Sequence, residues 1–480
     1  MRVSEHFKLD RHQAELDFVD VDVDGDVPLY VDPRALRLLN TPWGTEAVAL
    51  VQDFFTAVLE AIRHDDSAEG IRLLQGLHEP NETHLGLSKG RAQGSGLGKR
   101  LARAVYESLS ASDAVKSEGM LEDLEDTALL VEGIDRDRIS DITTNLIREP
   151  LIRYTEDICD YYAIPLKDGV SSGPLWSPGQ QDWVQEFVKL PVIEKNGKLL
   201  LVPKSIGRKK MDFDPGNYFN NYVLDYLAEA EISAGSSLVH LLKDKRPRVY
   251  KKALKKKYGK GKAVAVAVTK DHPEILDGFR ARKRNRFQGP LDNEELVGSQ
   301  GAGTLNLKAR LTAVTELSTG KSKAAAFHKA IERLLSGLLS PDLTFPHKEF
   351  PIHKGRKRID ISYTNAASKG FFGWVAKHYP AANIVVECKN YRGDPANPEL
   401  DQLAGRFSPS RGQVGLLVCR SFEDKDKFWK RCRDTANDHR GWIIPLDDDD
   451  LGELVAAREV GPHSDDLWFF FRQRFDRLTN

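Results

Sequence analysis

The sequence has no run of about 18 apolar residues, so no stretch of it reads as a membrane-spanning helix. Its opening, MRVSEHFKLDRHQAELDF, is charged and lacks the apolar core of a secretory signal. Cysteine is scarce. Cys159, Cys388, Cys419 and Cys432 form no CxxC pair and no Cys/His spacing suited to zinc. That excludes a disulfide framework and fits reduced thiols in a cytoplasmic protein. The net charge is −1, so the molecule as a whole is not a polycation, and any nucleic-acid surface has to come from local segregation of charge. No internal repeat is present. The glycine-rich segment GLSKGRAQGSGLGKR fails as a phosphate-binding loop: Gln93 stands where the motif needs glycine, and Arg100 follows Lys99 where it needs Ser or Thr. A flexible loop is the expectation there.

What is present is enough apolar residue, 40% of 480, for packed cores in more than one domain. The N-terminal 240 residues read as α+β. Strand, turn and strand are expected around FVDVDVDGDVPLYVDPRAL, with Asp24-Gly25 as the turn. Helices are expected at GTEAVALVQDFFTAVLEAIRH and LGKRLARAVYESLSA, and SDITTNLIREPLIRYTEDICDYYAI reads as a helix broken near Pro150. Asn196-Gly197 predicts a hairpin, and NYFNNYVLDYLAEAEIS a helix after it. This region, residues 1–240, is expected to sense, specify or assemble.

Composition then changes. Residues 243–262 read KDKRPRVYKKALKKKYGKGK, and a second cluster, FRARKRNRF, follows at 279–287. Residues 241–310 are therefore expected to be a basic connector, with Lys251, Lys255, Arg282 and Arg284 on nucleic acid and the interleaved tyrosines stacking on bases.

Residues 311–480 carry an α/β pattern. KSKAAAFHKAIERLLSGLLS predicts a helix, EFPIHK and KRIDISY a hairpin, and NIVVECKNY a central strand. PELDQLAGRFS predicts a helix and QVGLLVCRS a buried strand; a helix, the strand in GWIIPLDDDDL and an aromatic helix, DDLWFFFRQRFDRL, complete the domain. Glu387 and Lys389 lie two apart on one strand, so both side chains leave the same face. Asp360 lies on the strand before. Antiparallel pairing would bring both carboxylates and the ammonium to one spot. Asp360, Glu387 and the Cys388 carbonyl are hard oxygen donors suited to Mg²⁺, with Mn²⁺ as a substitute, and Lys389 is placed to assist an attacking water.

At these residues the chain resembles the PD-(D/E)XK nuclease superfamily: an acid on one strand (Asp360, preceded here by Ile359 rather than proline), then Glu387-Cys388-Lys389 on the next. The resemblance covers roughly residues 320–450. It implies a restriction-endonuclease-like αβββαβ core with a mixed sheet. It also implies a glutamate on the preceding helix, a place Glu332 occupies, and a polar residue on the following helix, where Gln402 fits. The activity implied is Mg²⁺-dependent hydrolysis of DNA, and by fold-level analogy a role in bacterial anti-phage defence or restriction, with a homodimer to cut both strands. Arg356, Arg358, Asn390, Arg392 and Arg420 are the expected nucleic-acid contacts beside that site. Three other readings fit the same residues: a toxin-like nuclease acting on RNA, a nucleic-acid-binding module without catalysis, and a nuclease gated by a nucleotide messenger or partner protein bound in the N-terminal half.

Overall fold

The computed structural model describes residues 1–480 except 40, 79, 87–96, 113–123, 195–196, 211–212, 286–292, 301–302, 353–356, 392–396, 462–463 and 480. At 97–101, 104, 284–285, 293–294, 299–300, 348–352 and 357–359 it describes backbone alone. The architecture is mixed α/β, with helices dominating the N-terminal part and one five-stranded sheet in the C-terminal part.

In the N-terminal part the long helix Pro42–Arg63 starts where Thr41 accepts the Gly44 N–H on its hydroxyl at 3.0 Å and Pro42 takes the first position, which needs no N–H. Its buried face, Ala47, Leu50, Val51, Phe54, Val58 and Ile62, has helical spacing. The helix expected to break near Pro150 instead breaks at Ile147, between Arg136–Leu146 and Arg148–Tyr162. Pro150 then falls in the first turn of the second helix, where its missing N–H costs nothing. The strand–turn–strand expected around Asp24-Gly25 does not form. Phe18 bridges Pro203, Val27 bridges Leu85, and Tyr30–Val31 pairs with Gly207–Arg208. These valine-rich segments are buried, but they find distant partners instead of each other. The Asn-Gly hairpin has its two short strands, Val192–Ile193 and Gly197–Lys198, in antiparallel pairing. A long hairpin, Lys167–Ser177 against Asp182–Leu190, was not foreseen; most of its residues are exposed or half-buried, so it lacks the clean alternation that flags a strand.

The basic stretch expected as a connector is helical over much of its length. Helices Lys251–Tyr258, Lys262–Asp271 and Glu274–Asn285 bury Leu254, Ala265, Leu276 and Phe279 in the N-terminal hydrophobic core. Their cations decorate helices anchored by every third or fourth apolar residue. Residues 286–292, which include the end of the second basic cluster, lie outside the description.

The C-terminal part runs α1 (Ala324–Leu339), β1 (Leu343–Ile352), β2 (Lys357–Asn365), α2 (Gly370–His378), β3 (Asn383–Lys389), α3 (Asn397–Ala404), β4 (Val414–Cys419), α4 (Lys425–Asn437), β5 (Trp442–Leu446), α5 (Asp448–Val460) and α6 (Asp465–Thr479). The sheet order is β5-β4-β3-β2-β1. β2 is antiparallel to both β1 and β3, while β3, β4 and β5 run parallel. Every residue of β4 is buried, as are the five central residues of β3, because α1 with α5, and α2 with α4 and α6, cover the sheet. In α6, Phe470, Phe471 and Phe475 are core and Phe469 is exposed.

Candidate active site

Ile361 on β2 pairs with Val386 on β3, which sets Asp360 opposite Glu387, one position further along the ladder. The Asp360 carboxylate accepts the Cys388 N–H at 3.0 Å. On the same strand, Lys389 Nζ donates to Glu387 Oε1 at 2.7 Å and to Gln402 Oε1, on α3, at 3.1 Å. Asp360, Glu387, Cys388, Lys389 and Gln402 are thus gathered at the end of β3. Glu387 is almost fully buried, whereas Asp360 and Lys389 retain about a fifth of their side-chain surface (20% and 17%), so the site opens to solvent on their side.

Two residues the sequence reading passed over belong to this cluster. Arg406, just beyond α3, is buried and forms an ion pair with the second carboxylate oxygen of Glu387. Burial draws its guanidinium below its ordinary pKa, and Asp360 pulls it back up. The other is His328 on α1. Its Nε2 lies 3.2 Å from the Cys388 carbonyl and 3.9 Å from Asp360 Oδ2, at the point where those two oxygens come together. Helical spacing could have found His328, which is one turn before Glu332; Arg406 lies past the end of α3, where that spacing no longer holds.

Glu332 itself is turned elsewhere. Its carboxylate is clasped bidentately by Arg11 at 2.9 and 2.6 Å, buried, with Ser336 Oγ donating at 3.3 Å. Asn390 and Arg420, expected on substrate, are internal struts. Asn390 Nδ2 donates to the Ser318 and Gly320 carbonyls at 3.1 and 3.2 Å. Arg420 pairs with Asp448 at 2.9 Å and donates to the Thr315 and Leu317 carbonyls. Both pin the loop before α1 against the sheet. Burial pushes the Cys388 thiol up, with Asp360 adding to the effect.

Of the other expected contacts, Lys251 pairs with Asp225 at 2.9 Å, Lys255 lies over the Phe219 ring, and Arg282 is exposed over Tyr222. Arg356 and Arg392, and the side chains of Arg358 and Arg284, lie outside the described residues.

Among the described residues no three His, Cys, Asp or Glu side chains stand at metal-binding distance from one another. At the end of β3 the His328 imidazole lies close to both the Cys388 carbonyl and the Asp360 carboxylate, with Glu387 balanced by Lys389 and Arg406. No described helix is long and apolar enough to cross a membrane.

A family model described as a domain of unknown function (DUF8370) matches residues 8–214. The matched stretch lies wholly in the N-terminal part and includes Arg11, which holds Glu332, but none of the residues gathered at the end of β3. Comparison with curated proteins and with solved structures gave no match.

Proposed function

We propose that the C-terminal part is a metal-dependent nuclease of the PD-(D/E)XK kind, acting on DNA. The observation that carries this reading is the meeting of Asp360, the Cys388 carbonyl and His328 beside the Glu387–Lys389 pair. The sheet order, with β2 antiparallel to the other four strands and α1 leading into it, supports a restriction-endonuclease-like core.

The donor set suits a hard divalent ion. Two carboxylates and a carbonyl leave room for the waters Mg²⁺ retains, and an imidazole at their edge broadens the fit to Mn²⁺. Asp360, Glu387 and the Cys388 carbonyl would hold the ion, with His328 as a fourth donor. The ion, when bound, would supply Lewis-acid stabilisation of charge on the phosphate.

The remaining work falls to the protein. Lys389 has three N–H donors. Two go to Glu387 and Gln402, and the third is free to orient an attacking water or a phosphate oxygen. Gln402 fixes the ammonium from the side, and Arg406 holds the Glu387 carboxylate in place. The water attacks phosphorus and gives up a proton to solvent, the bond to the leaving deoxyribose oxygen breaks, and that oxygen takes up a proton from solvent. The exposed cations of the N-terminal part, Arg248, Lys252 and Lys256 among them, with Tyr250 half-exposed beneath Arg248, form a surface for the phosphate backbone.

Incubation of the protein with supercoiled plasmid and Mg²⁺ tests the proposal. Nicking that requires the metal and disappears in Asp360→Ala is the expected result; intact plasmid from all preparations, with RNA also untouched, would remove the reading.

A further inference from the structure

A second cluster of charge lies far along the chain from the candidate active site, inside the N-terminal part. Arg148 opens the helix Arg148–Tyr162, and its side chain is 3% exposed. Its guanidinium pairs with Glu82, and Nη2 donates to Asn145 Oδ1 at 3.1 Å, while its buried Nε has no partner. Lys198, on the short strand Gly197–Lys198, points its ammonium at the same place, donating to the Ser171 carbonyl at 2.9 Å.

What joins them is Gly173. It sits at φ +75°, where the pairing of the long hairpin slips between Ser171 and Pro174. A Cβ on Gly173 would lie 3.4 Å from Arg148 Nη1 and 3.4 Å from Lys198 Nζ, so both cations flank one small space that only glycine leaves open. Ser171, Gly173 and Lys198 are half-buried, which gives that space access from solvent.

The charge there does not balance. Two cations face one carboxylate, Glu82, among the described residues. Their neighbours register the surplus. Lys198 is drawn down to about 8, first by burial and then by Arg148. Arg148 is drawn down to about 10 by burial, although Glu82 sits against it. The His78 imidazole is lowered by burial, then by Arg148 and Lys198. Like charges brought together out of water are costly, and a bound anion offsets that cost.

We propose that Arg148, Lys198 and the backbone at Gly173 form an anion site for the phosphate group of a small phosphorylated molecule. The partnerless Nε–H of Arg148 offers a charge-assisted donor to a tetrahedral oxyanion, the Lys198 ammonium a compact charge beside it, and a glycine close approach of the backbone. The site stands independently of the nuclease reading, since no residue is shared.

The test is calorimetry and thermal unfolding of the full chain titrated with inorganic phosphate and, separately, with adenosine monophosphate, at constant ionic strength. Heat of binding and a rise in Tm are expected with at least one of them. Tighter binding of the nucleotide would identify a nucleotide phosphate, and equal binding free phosphate. Lys198→Gln should weaken binding about tenfold, and Lys198→Arg should restore most of it. Without ligand, Lys198→Gln should unfold no lower than wild type, because it removes a repulsion. Wild-type protein that binds neither compound at millimolar concentration would overturn the proposal, as would Lys198→Gln that binds as tightly as wild type.

Discussion

Arg11 and Glu332, far apart in sequence, form a bidentate ion pair at 2.9 and 2.6 Å, with both side chains largely buried. The pair fastens the first residues of the chain to α1, the helix that carries His328 into the candidate active site. It is one of several such ties. Glu15 accepts from Arg333 and Arg310, both at the α1 side of the junction. Phe345, in β1 at φ +47°, turns its ring between Trp43 and Tyr154 and donates its N–H to Asp17 at 3.0 Å. The N-terminal part therefore sets the position of α1, and through α1 the position of His328.

Removing Arg11 should be costly because it strands a buried carboxylate. Arg11→Ala is expected to destabilise the protein by about 3 kcal/mol, while Arg11→Met with Glu332→Met together should recover most of that loss. Chemical denaturation of wild type and the two variants checks both statements. Equal loss in the single and double variants would mean that the pair contributes packing alone.

His328 and Glu332 should behave differently although they share a helix face. His328→Ala is expected to raise the Mn²⁺ concentration needed for half-maximal cleavage about tenfold, and Glu332→Gln to act mainly on stability, with little effect on that concentration. Metal titrations of cleavage rate, set beside melting curves, separate the two. A larger metal effect from Glu332→Gln would give Glu332 a part in holding the metal.

Among the described residues, the hydrogen bond of Gln402 in the site is to the Lys389 ammonium. Gln402→Ala should lower the cleavage rate about tenfold and leave metal affinity unchanged, whereas Lys389→Ala should lower the rate a hundredfold or more, on the order of losing a main charge-stabilising donor. Single-turnover rates at saturating metal read both.

Much of the C-terminal part was legible in the sequence because its signals are local. The apolar run ending in Glu387-Cys388-Lys389 marks a central strand, and strand alternation alone puts Glu387 and Lys389 on one face. The same logic failed where a partner lies far along the chain. Nothing near Glu332 announces that Arg11 will claim it, and nothing in the valine-rich opening says that Phe18 pairs with Pro203. Arg420 looked free for substrate because its strand end is exposed in sequence terms, while the loop it braces is contributed by residues 315–317. Charge density at 243–262 hid an amphipathic spacing, with Leu254 as the single buried residue of its helix.

A pH dependence of stability is expected from Asp342. Burial pushes its carboxyl up to about 7 from an ordinary 3.8, with Arg458 pulling it back. The folded chain therefore holds this proton more tightly than the unfolded chain. The stability it contributes is full below pH 3.8 and is lost as pH rises through about 7. Asp342→Asn should melt close to wild type at pH 4 and roughly 4 °C or more above it at pH 8. Parallel melting curves at the two pH values check this, and an unchanged difference between them would contradict it.

The most direct measurement is the single-turnover cleavage rate of a labelled DNA duplex by wild-type protein, Asp360→Ala and Lys389→Ala, each with Mg²⁺ and with EDTA, and with a labelled RNA in parallel. The account predicts cleavage of the duplex by wild type with Mg²⁺ alone, and loss of it in both variants while their melting curves stay cooperative. Cleavage that persists in both folded variants, or a wild type that leaves DNA and RNA intact, would contradict it.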